Sequence, residues 1–113
     1  MELIISLSEI KFGSLNKKYY GNFGLTKEYR SFKDLLIASA KKIKIKPPYS
    51  VLITVSMYQD IDNIIKPILD ALQTKGVIDN DKNVHHINIS KYPIKRGELG
   101  SICVFVDNMK FWE

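Results

Sequence analysis

Five aspartates between positions 60 and 81 are the residues of this sequence best suited to chemistry. The segment contains only two basic residues, Lys66 and Lys75, so its net charge is −3. The remainder of the 113-residue chain has 15 basic and seven acidic side chains, a net charge of +8. A cation would neutralise grouped carboxylates, and a polyanion would suit the basic remainder. The alternative is an ordinary basic protein with solvated helix charges.

Asp60 and Asp62 are two residues apart, where a strand is expected to give way to a helix. In an extended segment residues i and i+2 point the same way, so the two carboxylates would repel each other without a cation between them. Mg²⁺ takes one or two protein carboxylates together with waters and phosphate oxygens. The pair therefore predicts a metal site, with a turn and helix cap as the alternative.

Asp81 is within reach of that pair. A helix from Asn63 to Lys75 rises ~18–20 Å, and the five steps from Gly76 to Asp81 span at most ~17–18 Å. The chain can therefore double back and bring Asp79 or Asp81 near the pair. A second chain that supplies the acid is the alternative.

Lys66 lies four residues after Asp62 and four before Asp70, so the three share one helix face. Beside a metal site, the Lys66 ammonium would contact a scissile phosphate or stabilise developing negative charge. The alternative is a pair of surface salt bridges that contribute little to stability.

The elements that must position these residues are predicted from hydrophobic periodicity. We expect an α+β fold, a single compact domain over residues 1–113 with a mixed four-stranded sheet in the order β-α-β-α-β-β. The predicted strands are Glu2–Ile10, Val51–Met57, Val84–Lys91 and Ser101–Val106, and the predicted helices are Thr26–Ile43 and Asn63–Lys75. The first strand is expected to alternate, with Leu3, Ile5 and Leu7 on one face.

Proline and glycine mark the expected helix ends. Pro47-Pro48 stops the first helix, whose lysine-rich end at residues 41–46 is interpreted as a solvated helix terminus. Its expected apolar stripe is Phe32, Leu35, Leu36, Ala40 and Ile43. Gly76 ends the second helix. Pro67 predicts either a kink or a regular helix that begins at about Ile65, with the proline in its first turn.

Residues 60–72, which read D-I-D-N-I-I-K-P-I-L-D-A-L, resemble the RusA family of Holliday junction resolvases. The family pattern continues with a glycine, an Asp-Asp pair and a strand that ends in lysine, which Gly76, Asn80-Asp81 and Lys91 match in register. Ser14, Asn16, Lys17 and Tyr20 resemble its N-terminal segment. The chain departs from the family at residues 11–14, which lack a double proline, and at Asn80, which replaces an acid.

The resemblance implies a small homodimeric endonuclease, dependent on Mg²⁺ or Mn²⁺, that nicks four-way DNA junctions symmetrically. It implies that Asp60, Asp62 and Asp81 are catalytic metal ligands and that Lys66 is an essential lysine. Asp70 and Asn63 would support these residues. The partner would be branched DNA.

Basic residues outside the acidic segment, with the lysines of residues 41–46 among the candidates, would contact the DNA backbone. The expected DNA-binding residues are Lys17, Lys18, Tyr20, Lys91, Lys95 and Arg96. Tyr19 and Tyr20 would stack on unpaired bases, or else pack in the core or a loop. His85 and His86 are expected to be ordinary strand residues. Two other functions stay open: a non-catalytic nucleic-acid-binding module, and a related nuclease that acts on flaps, forks or RNA.

Several features limit the setting in which the protein works. Cys103 is the only cysteine, so we expect no disulfide partner, and no Cys/His spacing suits a zinc finger. The apolar run at the N-terminus is too short for a signal peptide, and no run approaches ~18 apolar residues. We therefore expect a cytoplasmic protein without a membrane partner. Phe111-Trp112 is a candidate contributor to a dimer interface or to the core.

Overall fold

The computed structural model describes residues 1–12 and 27–109. It has strands β1 (Glu2–Ile10), β2 (Tyr49–Met57), β3 (Val84–Pro93) and β4 (Gly100–Asn108), helices α1 (Lys27–Ser39) and α2 (Asp62–Lys75), and a short 3-10 helix at Asp81–Asn83. The predicted α+β class and element order are confirmed. The predictions for Ser14, Asn16, Lys17, Lys18, Tyr19, Tyr20, Thr26 and Phe111-Trp112 lie outside the described residues.

The four strands form one mixed sheet in the order β1-β4-β2-β3. β4 pairs antiparallel with both β1 and β2, and β2 pairs parallel with β3. A parallel pair needs a crossover connection, and α2 with the 3-10 helix supplies it. The end of β2 therefore lies beside the end of β3, with Val55 opposite Lys91 and Met57 opposite Pro93.

The core lies between one face of the sheet and the two helices. Val51, Ile53, Val55 and Met57 of β2 are at most 1% exposed, as predicted for a strand with one buried face. Helix α2 adds the buried side chains Ile64, Ile68, Ala71 and Leu72. This packing fixes which side of α2 is left for polar chemistry.

β1 departs from the predicted alternation. Ile4 and Ile5 are both buried, at 2% and 0% exposure, whereas Leu3 and Leu7 are half-buried. The pairing with β4 slips between Leu3 and Ile5, where a bulge places two β1 residues against one partner residue. The bulge points the Ile4 side chain towards the core. A prediction based on strict two-residue alternation cannot anticipate this orientation.

α1 is shorter than predicted, since it ends at Ser39 rather than Ile43. The Lys41 N–H donates to the Ile4 carbonyl at 2.9 Å instead of continuing the helix. Leu35, predicted to lie in the apolar stripe, is 44% exposed, whereas Tyr29 of the same helix is buried. Residues 41–46 therefore do not form a helix terminus, and Pro47-Pro48 does not end the helix.

α2 matches its predicted bounds to within one residue. Gly76 has φ 81° and its N–H donates to the Gln73 carbonyl, as expected of a left-handed helix end. The helix begins at Asp62 because Ile61 already has helical dihedrals, φ −67° and ψ −23°. Pro67 is therefore beyond the first turn, and the expectation of a regular helix from about Ile65 is wrong.

Candidate active site

Asp60 and Asp62 flank the start of α2, just beyond the end of β2. Because Ile61 between them has helical dihedrals, the segment is not extended and the argument from i, i+2 alternation does not apply. The N-cap position belongs to Ile61, with no side-chain cap hydrogen bond, so neither aspartate caps α2. Both side chains belong to exposed residues. Their carboxylate oxygens are therefore accessible to a ligand.

Lys66 joins two parts of the acidic segment. Its Nζ lies 3.1 Å from Asp70 Oδ1 and 3.4 Å from Asp81 Oδ2. The predicted pair along the helix with Asp70 is confirmed, whereas no ion pair forms between Lys66 and Asp62, which are both among the described residues. The chain after α2 thus doubles back and brings Asp81 against α2, one turn beyond Asp62.

Lys33 extends this arrangement to α1. Its Nζ lies 3.6 Å from Asp70 Oδ2, on the other oxygen of the carboxylate that holds Lys66. We call Lys33, Asp70, Lys66 and Asp81 the charge network. Sequence reasoning missed Lys33, because no local spacing reports which residue of α1 faces α2.

The charge network favours the protonated form of the Lys66 ammonium. The hydrogen bond to Asp70 and the negative charge of that carboxylate raise the pKa of Lys66, and the contact with Asp81 raises it further. Opposite charges at this distance favour the protonated form. Lys66 therefore presents a positive charge beside Asp81.

The turn that delivers Asp81 has its own hydrogen bonds. Asn80 Oδ1 accepts from the Lys82 N–H at 3.0 Å, so the residue that replaces the family's acid caps the 3-10 helix. Asp79 Oδ1 accepts from Asn83 Nδ2 at 2.9 Å, and this bond lowers the pKa of Asp79. The Asp81 N–H donates to Gln73 Oε1 at 3.1 Å. Asp79 is thus part of the turn.

Lys91 supports the other side of the site. Its Nζ donates to the Gln59 carbonyl at 2.7 Å and to the Tyr58 carbonyl at 3.3 Å. These carbonyls belong to the two residues before Asp60. Lys91 therefore anchors the connection that carries Asp60. The sequence predicted Lys91 only as a DNA-binding residue and did not predict this contact.

The other predicted residues lie on or near β3, except Asn63 of α2. Lys95 and Arg96 are exposed in the connection from β3 to β4. His86 Nδ1 lies 2.8 Å from Ser50 Oγ, whereas His85 is exposed. Asn63 is half-buried in the first turn of α2.

Within residues 1–12 and 27–109, no group of three His, Cys, Asp or Glu side chains is arranged to hold a metal ion. The assignment of Asp60, Asp62 and Asp81 as metal ligands therefore stays a prediction. In the same part of the chain, no helix is long and apolar enough to cross a membrane.

Comparison with curated proteins finds no match to this chain. The family model described as endodeoxyribonuclease RusA matches residues 12–100, which include β2, α2, β3 and the whole charge network. The match covers most of the chain and agrees with the acidic pattern from which the family resemblance was inferred. The chain belongs to the RusA family of endodeoxyribonucleases.

Proposed function

We propose that this protein is a metal-dependent endonuclease that resolves four-way (Holliday) DNA junctions by symmetric nicking, in recombination and repair. The observation that supports it most directly is the contact between Lys66 and Asp81. It joins residues 15 positions apart in a member of an endodeoxyribonuclease family. A positive charge near the reacting phosphate stabilises the negative charge that develops when a phosphodiester is hydrolysed.

The proposed metal ligands are Asp60, Asp62 and Asp81, and the proposed metal is Mg²⁺ or Mn²⁺. The donor chemistry fits, because carboxylate oxygens suit these hard cations and Mg²⁺ needs only one or two of them alongside waters and substrate phosphates. Asp60 and Asp62 are exposed and form no ion pair with a described residue. When bound, the metal would activate a water and neutralise phosphate charge.

Lys66 is proposed to stabilise the negative charge that develops on the phosphate. Asp70 and Asp81 hold its ammonium from two sides, which restricts a side chain that is 54% exposed. A preorganised charge stabilises a transition state without reorganisation at the moment of reaction. Asp70 is proposed to orient Lys66, and Asn63 to support the first turn that carries Asp62.

The proposed active form is a homodimer. Resolution of a four-way junction needs two cuts, and a two-fold symmetric dimer presents two equivalent sites. The proposed DNA-binding residues are Lys17, Lys18, Tyr20, Lys91, Lys95 and Arg96. Lys91 also donates to the carbonyls of Tyr58 and Gln59.

Cleavage of a synthetic four-way junction in Mg²⁺, compared with a linear duplex of the same sequence, tests the proposal. We expect junction cleavage by the wild type and a loss of ~10²–10³ in rate for Lys66→Ala, as for removal of one preorganised donor. Asp62→Asn should also lose cleavage. Asp34→Asn, at an exposed residue of α1 outside the charge network, is the matched control.

Variants that bind the junction and cut it as fast as the wild type would show that the catalytic assignment is wrong. Junction binding by the wild type without cleavage in Mg²⁺ or Mn²⁺ would instead indicate a binding module. Faster cutting of flaps, forks or RNA in the same assay would identify a different substrate.

A further inference from the structure

Residues 42–46 of the connection between α1 and β2 alternate between exposed and half-buried although they belong to no helix or strand. Ile43 and Ile45 are half-buried and pack against the core, whereas Lys42, Lys44 and Lys46 are exposed. This alternation is typical of an extended chain with one side against the protein. We call the three outer residues the lysine row. They lie on the solvent side of one short segment.

The segment is fixed to the rest of the fold. Its backbone is hydrogen-bonded to β1, to the residue that follows Gly76, and to the end of β4. The bonds run from Lys41 N to Ile4 O (2.9 Å), from Ile45 N to Val77 O (3.0 Å), and from Asn108 Nδ2 to the carbonyls of Lys46 (2.7 Å) and Pro47 (3.1 Å). The lysine row therefore has a defined position, unlike lysines on a free tail.

The charges of the lysine row are not neutralised by the described part of the chain. None of the three lysines forms an ion pair with an acid in residues 1–12 or 27–109. Like charges held side by side repel one another, and a bound polyanion relieves that repulsion. The lysine row therefore has the chemistry of an anion-binding surface.

We propose that the lysine row binds the sugar-phosphate backbone of one duplex arm of the branched DNA substrate. Alternate residues of an extended chain lie ~6.6 Å apart, so the three lysines span ~13 Å. Each of the three ammonium groups can therefore reach a separate phosphate of one backbone strand. The proposal rests on the proposed function, because it assigns a surface to the same substrate.

The position of the lysine row distinguishes it from the candidate active site. Ile45 bonds to Val77, just after the end of α2, whereas Lys66 lies in the first half of that helix. The nine steps from Lys66 to Lys75 rise ~14 Å along the helix. The lysine row therefore contacts an arm at a distance from the scissile phosphate, where it contributes affinity and orientation.

The test measures junction affinity against salt concentration in an Asp62→Asn background, in which no cleavage is expected. Each lost phosphate contact reduces the slope of log K against log[salt] by ~0.9, so K42Q/K44Q/K46Q should lower it by ~2–3. K42R/K44R/K46R keeps the charges and should keep the slope. K44Q/K46Q is compared with K11Q/R30Q, which removes two exposed charges elsewhere.

If K42Q/K44Q/K46Q has a normal thermal melt and an unchanged slope of log K against log[salt], the proposal that the lysine row binds DNA is wrong. An equal loss in K11Q/R30Q would also overturn it, because net charge alone would then explain the effect. Cleavage of junctions by the wild type is measured separately. If the wild type cuts and only the lysine row result is negative, the proposed function stands; if the wild type neither binds nor cuts branched DNA, both proposals are wrong.

Discussion

At the scale of single residues, the chemistry depends on two lysines that have different tasks. Lys66 is held between Asp70 and Asp81 on the surface of α2, and Lys91 holds the backbone just before Asp60. The pair Lys66–Asp70 was predictable because residues i and i+4 meet on a helix. The contacts of Lys33 and Lys91 were not, because they join residues far apart in sequence and depend on how elements pack.

Lys33 is predicted to be a positioning residue. Lys33→Met removes the contact that holds Asp70 from α1, so Asp70 is less restricted when it orients Lys66. A surface ion pair of this kind contributes at most ~1 kcal/mol, so we expect kcat to fall up to about fivefold with little change in KM. Steady-state cleavage kinetics measure both constants. Lys33→Arg should restore kcat, and a rise in KM alone would contradict the prediction.

Lys91 is predicted to stabilise the fold rather than only bind DNA. Lys91→Met leaves two carbonyls without their charged donor, which costs about 1–2 kcal/mol after allowance for solvent. For a domain of this size, a loss of ~1 kcal/mol lowers the melting temperature by ~4 °C, so we expect a fall of ~4–8 °C. Lys95→Met, at an exposed residue, is the control. A normal melt with a shallower salt dependence of DNA binding would instead assign Lys91 to the DNA.

At the scale of elements, the sequence predicted those features of the helices and strands that depend on neighbouring residues in the chain. The periodicity of α2 and the glycine after it located the helix and its end, because both depend on neighbouring residues. The end of α1 and the bulge in β1 were missed, since each depends on a partner in another element. The lysines of the lysine row were candidates for DNA contact from the sequence, but their segment was interpreted as a helix terminus, because its bonds to Ile4 and Val77 join residues far apart in sequence.

The 3-10 helix is predicted to position Asp81 through the Asn80 cap. Asn80→Ala removes the acceptor for the Lys82 N–H, and loss of a cap costs ~0.5–2 kcal/mol in an α-helix. We expect a lower unfolding free energy by denaturant titration and slower junction cleavage. Asn80→Asp keeps the acceptor and should keep the stability. Equal stability of Asn80→Ala and the wild type would show that Gln73 and Asn83 suffice to hold the turn.

At the scale of the whole molecule, the net charge of +5 conceals two opposite surfaces. Asp60 and Asp62 flank the start of α2 and Asp81 contacts Lys66 in its first half, whereas the segment that carries the lysine row is bonded to Val77, just after the helix ends. A uniformly basic protein would attract any duplex equally. In this protein the lysine row attracts DNA phosphates, whereas the carboxylates of the acidic segment repel them. A phosphate can therefore approach these carboxylates only where a bound cation offsets the repulsion.

The proposed dimer makes a prediction about how the two cuts are linked. Light scattering should give the mass of two 13.0 kDa chains. The dimer should make both cuts in a junction during one encounter. On a supercoiled plasmid with a cruciform, paired cuts give linear product and a single cut gives a nicked circle. Heterodimers of wild-type and Asp62→Asn chains have one competent site, so coexpression should shift the product to nicked circles. A monomeric enzyme would only be diluted by the variant, and its ratio of linear to nicked product at equal extent would not change.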